Sequence, residues 1–342
     1  MIPQSVLQAF GFSASCTIQS IGSGHIHKTL RVEESKKSFI LQCVNHFVFN
    51  EPEVISRNIQ HAGGYLNKHY PEYLFLSMLK TTKGFDMAVD EEGYSWRAFP
   101  FIENTKTFDE VSKPEQAFEA AKGFARLTKN LSGCDPSVFT PTIDRFHDLG
   151  WRYEQFEASL KNALVDRLDQ AQIEIATCNH FFFLVDQYKN LISSGNLILR
   201  ITHNDTKINN ILFDNNTGKA VCVIDLDTLM PGFFIYDLGD MVRTFVSPVS
   251  EEETDLTEVV FREEMYTALL DGYLQEMGGF LSVKEKLAIP FAGPMMTYIM
   301  ALRFLADFLI GDVYYTTSYK GQNLNRAKNQ LKLLEVLLKN IK

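Results

Sequence analysis

Ile201-Thr202-His203-Asn204-Asp205-Thr206-Lys207-Ile208-Asn209-Asn210, followed after a short gap by Val223-Ile224-Asp225-Leu226-Asp227, is the stretch whose reading decides the fold. Short apolar runs at 197–201, 210–213 and 220–224 surround it, and a polar turn, Asp214-Asn-Asn-Thr-Gly218, separates the last two. These runs predict short strands, with Asp205 on the loop between the first two. A carboxylate pinned in this way can accept or orient a substrate hydroxyl. Lys207 lies two residues on, so in extended backbone it points to the same side. A cation there would offset charge on a transferred phosphoryl group. Asn210 offers an amide oxygen, and the hairpin turning at 214–218 brings Asp225 back beside it, so the two are placed to share one magnesium ion. Taken singly, each Asp or Asn also reads as a turn former or cap; the whole set at these offsets reads as phosphoryl-transfer chemistry.

Working outward, the 342 residues suit two lobes better than one. The chain is 45% hydrophobic and 22% charged, an ordinary globular composition. Its net charge of −9 and lack of a dense Lys/Arg run argue against a nucleic-acid partner. Five scattered cysteines, Cys16, Cys43, Cys134, Cys178 and Cys222, form neither a zinc knuckle nor a redox pair and fit reduced thiols in the cytoplasm. Met1-Ile-Pro-Gln-Ser5 shows no export signal. Residues 288–310 are nearly all apolar, but Pro290, Pro294, Arg303 and Asp307 mark a buried helix rather than a membrane span.

Residues 16–45 alternate and turn like an antiparallel meander, 51–70 reads as a helix, and strands are expected at 74–80 and 94–99. The pattern changes at Phe99-Pro100-Phe101-Ile102-Glu103. Beyond it, Ser112-x-x-Glu115 predicts a capping box opening a helix to about 131. Further helices are expected at 144–168, 179–193, 257–277, 284–310 and 322–340. The expected organisation is therefore α+β: a β-rich nucleotide-binding lobe over 1–100 and a mainly helical catalytic and substrate lobe over 101–342.

Four further features bear on the chemistry. His203 reads as structural, packed beneath the loop, rather than as a base; Asp227 reads equally as a second metal ligand or a strand-end residue. Asp237, with Asp240 three residues on, reads as the cap and box of the next helix. Gly22-Ser23-Gly24 lets backbone approach phosphate oxygens, or makes an ordinary hairpin. Phe99 to Ile102 either presents backbone to an adenine edge or is a buried linker. Arg303 either pairs with Asp307 or contacts a substrate.

At His203-x-Asp205-x-x-x-x-Asn210 and Ile224-Asp225 the chain resembles the aminoglycoside phosphotransferase and choline kinase-like branch of the protein-kinase-like fold. It is similar more closely to bacterial N-acetylhexosamine 1-kinases in Gly22-Ser-Gly-His-Ile26, Asp205-Thr-Lys-Ile-Asn-Asn210, Cys222-Val-Ile-Asp-Leu-Asp-Thr-Leu-Met-Pro-Gly232, Tyr236-Asp-Leu-Gly-Asp240, Arg303-Phe-Leu and Gly311-Asp-Val-Tyr314. That resemblance implies a two-lobed fold with ATP and Mg2+ as cofactors. It makes Asp205 the base for an anomeric hydroxyl, Asn210 and Asp225 the metal ligands, and His25, Arg303 and Tyr314 the sugar contacts. The chain departs from protein kinases at Gln42, where they carry a lysine on the third strand, and from the resembled loop at His27. The expected function is ATP-dependent phosphorylation of a small-molecule hydroxyl, foremost the 1-OH of an N-acetylhexosamine. The alternatives are a kinase for choline, homoserine or an aminoglycoside, and a nucleotide-binding pseudokinase.

Overall fold

A computed structural model describes residues 2–21 and 27–342. The expectations placed on Gly22, Ser23, Gly24 and His25 lie outside the described residues.

The first strands form one antiparallel sheet: β1 (Thr17–Ser20), β2 (Lys28–Glu34), β3 (Lys37–Cys43), β4 (Met87–Val89) and β5 (Ser95–Pro100), in the order β1-β2-β3-β5-β4. Side chains alternate between the two faces of a strand. Leu30, Val32, Leu41, Trp96 and Ala98 therefore share one face, where they pack with Val6, Leu7 and Phe12. Helix α1 (Gln4–Ala9), which supplies two of those residues, was not expected. The opposite face of β3 and β5 carries Ile40, Gln42, Arg97 and Phe99, with Gln42 the register partner of Arg97 and Ile40 that of Phe99.

The remainder is mainly helical around a large core that includes Phe124, Phe156, Phe245, Tyr273, Tyr298 and Phe304. Each such side chain contributes about 1.5–3 kcal/mol of transfer free energy when fully buried. Helix α2 (Pro52–His69) precedes β4 in sequence, yet Ile55, Ile59, Ala62 and Leu66 join this helical core. The architecture is α+β, a small antiparallel-sheet lobe on a larger helical lobe, as expected. Two small sheets lie in the helical half: β7 (Arg200–Thr202) pairs with β10 (Met230–Gly232), and β8 (Ile211–Asp214) lies between β6 (Thr105–Lys106) and β9 (Ala220–Val223).

Several expected elements are corrected. Residues 74–80 are extended but make no strand; Leu79 donates one bond to the Ala98 carbonyl, and β4 takes the sheet edge. The expected box at Ser112 and Glu115 is shifted by one residue: Gln116 Oε1 accepts from the Ser112 and Lys113 amides as α3 (Pro114–Asn130) begins. The expected 144–168 helix starts only at Leu149, because Arg145 takes a left-handed φ of 47° and Asp148 caps the Trp151 amide. It runs as α4 (Leu149–Lys161) and α5 (Val165–Gln170), and α6 (Gln172–His180) precedes α7 (Phe183–Ser193). The 257–277 helix is α9 (Glu263–Met277), following α8 (Phe234–Phe245). The 284–310 reading divides into the short α10 (Val283–Lys286) and α11 (Ile289–Ile310), and α12 (Gln322–Asn340) closes the chain. Helix α11 is apolar and long enough to cross a membrane, but it is packed inside the protein.

Candidate active site

The central loop leaves β7 at Thr202 and enters the other small sheet, as β8, at Ile211, passing through a single 3-10 turn at Ile208–Asn210. Asn204 adopts φ of 66°, in the left-handed region where a side chain is disfavoured. Such a conformation persists only where neighbours over-determine it, and they do here. Asp237 Oδ2 accepts the His203 amide at 3.0 Å and Oδ1 accepts the Asn204 amide at 2.7 Å. Asp240 Oδ2 accepts the Thr206 amide at 2.8 Å. The Asn204 side-chain amide donates to the Thr202 and Thr228 carbonyls. Gly232 lies so close that an added Cβ would stand 2.2 Å from Thr202 Oγ1.

Asp237 and Asp240 are therefore not a helix cap and box. Helix α8 begins at Phe234, so both carboxylates lie within it and turn outward to hold the loop that carries Asp205. Burial pushes the Asp237 carboxyl up, and the hydrogen bonds from His203 and Asn204 act against that shift. His203 is fully buried; its Nε2 bonds the Ile224 carbonyl and its Nδ1 accepts the Asp205 amide. Both ring nitrogens are thus committed to backbone, which leaves His203 a scaffold for the loop.

Asp205, Lys207, Asn210 and Asp225 come together. Lys207 Nζ stands 3.3 Å from Asp205 Oδ1. Asn210 Nδ2 donates to Asp205 Oδ2 at 3.0 Å, and the Asn210 carbonyl accepts the Ile224 amide at 2.9 Å. That bond sets Asp225 directly beside Asn210. Asp225 itself has φ of 57°, the second left-handed residue of the site. Burial alone would raise the Asp205 carboxyl, but Lys207 and His203 outweigh it and hold the group below the ordinary carboxylate range. Lys207 is raised in turn, chiefly by Asp205. Asp225 is pushed up to about 6, by burial first and then by the charges of Asp227 and Asp205.

This donor set fits a divalent cation. Asn210 spends its amide nitrogen on Asp205, which leaves Oδ1 for a metal. The Asp225 carboxylate makes no hydrogen bond among the described residues, and it carries the repulsion that a cation would relieve. Asp227 differs: Arg97 Nη1 donates to Oδ1 at 2.5 Å and His27 Nε2 bonds Oδ2 at 2.6 Å. Arg97 and His27 hold it below the ordinary range although burial acts to raise it.

Phe99 lies in a small apolar cluster with Leu76 and Cys222, against Ile40, Leu212 and Ile224. That cluster joins the sheet to the β8–β9 hairpin, next to Asp225. Phe101 lies past the end of β5; Arg31 stacks over its ring at 4.3 Å and its amide is donated to Ser38. The amide is therefore not free for an adenine edge.

On the other side, Arg303 does not pair with Asp307. Asp307 instead accepts the amides of Val313, Tyr314 and Tyr315 and the side chain of Asn323. It thereby folds the 311–315 loop over Arg303. The guanidinium sits 5.1, 5.6 and 5.4 Å from the ring centres of Phe146, Tyr314 and Tyr315. It has no carboxylate partner among the described residues. Arg152 lies nearby, its guanidinium lowered to about 10 by burial and by Arg303. His147, next to Phe146, bonds the Asn204 carbonyl and so ties this cationic box to the Asp205 loop.

Arg97, His147, Arg152 and the loop-holding role of Asp237 and Asp240 were missed in the sequence. Arg97 had a signal, a lone charge inside the apolar run Trp96-Arg97-Ala98-Phe99.

A family model described as "Phosphotransferase enzyme family" matches residues 17–285. Among solved structures, the chain is similar to a microcompartment-associated aminopropanol kinase at 14% identity and a TM-score of 0.67, over 98% of this chain and 95% of that one. It is similar to amicoumacin kinase in complex with AMP-PNP, Ca2+ and amicoumacin at 13% identity and a TM-score of 0.61, over 98% and 92%. A choline kinase from Cryptosporidium parvum matches at 14% identity and a TM-score of 0.58, over 98% and 95%. Likenesses at this level carry the fold, and the family match covers both the first sheet and the Asp205 loop. The chain belongs to the phosphotransferase enzyme family.

Proposed function

We propose that this protein transfers the γ-phosphoryl group of ATP to a neutral, hydroxyl-bearing acceptor, the 1-OH of an N-acetylhexosamine. The observation that carries the choice of acceptor is Arg303: a half-buried cation, boxed by aromatic rings, with no carboxylate among the described residues to neutralise it. A carboxylate whose field reaches Tyr315, Glu251, is itself paired with Arg243. A cationic acceptor such as choline or aminopropanol would meet two arginines. A sugar offers acceptor oxygens to the guanidinium and an apolar ring face to the tyrosines. The sequence blocks shared with N-acetylhexosamine 1-kinases support the same acceptor.

Asp205 stands ionised at neutral pH. It accepts the hydrogen of the acceptor hydroxyl, orients the oxygen for attack on the γ-phosphorus and takes the proton as that bond forms and the bond from the γ-phosphorus to the bridging oxygen breaks, releasing ADP. Lys207, fixed at 3.3 Å from Asp205, balances charge on the moving phosphoryl. Asn210 and Asp225 would hold Mg2+, which when bound neutralises the phosphate oxygens. Phe99 and its apolar cluster supply a dry wall for the base, and Gly22, Ser23 and Gly24 a backbone approach to the phosphates. His25, Arg303 and Tyr314 are the proposed sugar contacts.

The test is phosphorus NMR of full-length protein incubated with Mg·ATP and N-acetylglucosamine or N-acetylgalactosamine. A new anomeric phosphate ester is expected. Asp205→Asn should lower turnover about a thousandfold and leave nucleotide affinity nearly unchanged. Turnover like the parent's in that variant would refute the role given to Asp205.

A further inference from the structure

In protein-kinase-like sites a lysine on the third strand, paired to a carboxylate, anchors the nucleotide phosphates. Gln42 occupies β3 here, and the positive charge has moved one strand across. Arg97 on β5 is the register partner of Gln42, and its Nε donates to Gln42 Oε1 at 3.0 Å. Its Nη1 donates to Asp227 at 2.5 Å, and the Arg97 side chain is only 1% exposed. Gln42 is fixed in turn by donating to Thr29 on β2. A ladder of Thr29, Gln42 and Arg97 thus crosses the sheet and ends on a carboxylate 130 residues further along the chain.

The other oxygen of Asp227 takes His27. The Asn45 amide donates to His27 Nδ1, so Nε2 carries the hydrogen and gives it to Asp227. His27, Asp225 and Asp227 are close enough together to suggest a metal site. Yet His27 has no lone pair left to give, and both Asp227 oxygens are committed to the sheet lobe. Asp225 is the remaining carboxylate, with an oxygen within 4.8 Å of the Asp227 and His27 atoms that Arg97 and the sheet lobe hold in place.

We propose that Arg97 is the positioning cation of the sheet lobe: with Gln42 and Asp227 it sets Asp225 and the phosphate end of the cleft, in place of a lysine at position 42. This rests on membership of the phosphotransferase family and not on the acceptor proposed above, so a different acceptor would leave it standing.

The test compares binding of Mg·ATP with binding of adenosine, by calorimetry on the full chain, alongside thermal unfolding. The double variant Arg97→Gln, Asp227→Asn removes both charges and keeps similar shapes. It is expected to unfold near the parent's midpoint, to bind adenosine as the parent does, and to bind Mg·ATP at least about tenfold more weakly. Adding Gln42→Lys should recover most of that loss by restoring a cation one strand away. Parent-like Mg·ATP affinity in the double variant, an equal loss of adenosine binding, or no recovery with Gln42→Lys would overturn the proposal. Should the double variant not fold, Asp227→Asn alone decides: the same selective loss is expected, and unchanged Mg·ATP affinity overturns it.

Discussion

The two ends of the cleft are built from opposite charges. At one end Asp205, Asp225 and Asp227 lie together: Asp227 is paired with Arg97 and His27 and Asp205 with Lys207, while Asp225, without such a partner among the described residues, is pushed up by burial and by the other two. At the other end Arg303 faces aromatic rings, with Arg152 nearby and no carboxylate partner for Arg303 among the described residues. Under the proposed function, the first end would be completed by a divalent cation arriving with the nucleotide. Under the same proposal, the arginine end disfavours a cationic acceptor.

The largest effect expected is at the metal end. Asp225→Asn should abolish Mn2+ binding, read by electron paramagnetic resonance, and lower turnover about a thousandfold or more. The same titration on Arg303→Glu should match the parent, since Arg303 belongs to the other end; loss of Mn2+ binding there would break the division.

Asp237 joins the two ends because it holds the loop that carries Asp205. Asp237→Ala leaves the His203 and Asn204 amides buried without an acceptor. It should cost about 3 kcal/mol of stability, measured by urea unfolding. A loss below about 0.5 kcal/mol would mean that the loop is held elsewhere.

Arg303→Glu sharpens the comparison from the acceptor side. Reversing the charge should raise kcat/KM for a cationic alcohol relative to N-acetylglucosamine by about a hundredfold. An unchanged ratio would remove Arg303 from the acceptor pocket.

The smallest effect concerns His147, which ties the ends together. Burial lowers its imidazole to about 4 from the ordinary 6.5. The unfolded chain takes up that proton first, so the stabilisation is present in full above the ordinary value and is lost as pH falls from there toward about 4. At pH 5 the loss should reach about 2 kcal/mol. His147→Gln should flatten that part of the stability–pH curve, and an unchanged slope would assign it to other groups.

The catalytic loop could be read from sequence because its parts are local. Asp205, Lys207 and Asn210 lie within six residues of one another, and one hairpin returns Asp225. What could not be read depends on distant packing. Asp237 and Asp240 have the spacing of a helix cap, and only the start of α8 at Phe234 shows that they face the loop instead. Arg303 and Asp307 have the spacing of a helical ion pair, but three loop amides compete for Asp307 and win. Arg97 is a single charge in a buried strand, and its meaning appears only when β5 pairs with β3 and reaches Asp227. The break at Arg145 follows from a backbone conformation that no periodic pattern encodes.

The most direct test of the charge division is the ratio of kcat/KM values for a panel of acceptors, followed by ATP consumption with the unmodified protein. The panel should pair N-acetylglucosamine and N-acetylgalactosamine with choline, aminopropanol and homoserine. Preference for a neutral sugar by about a hundredfold or more is the expected result. Preference for a cationic alcohol, or tight ATP binding with no consumption on any acceptor, would contradict the account.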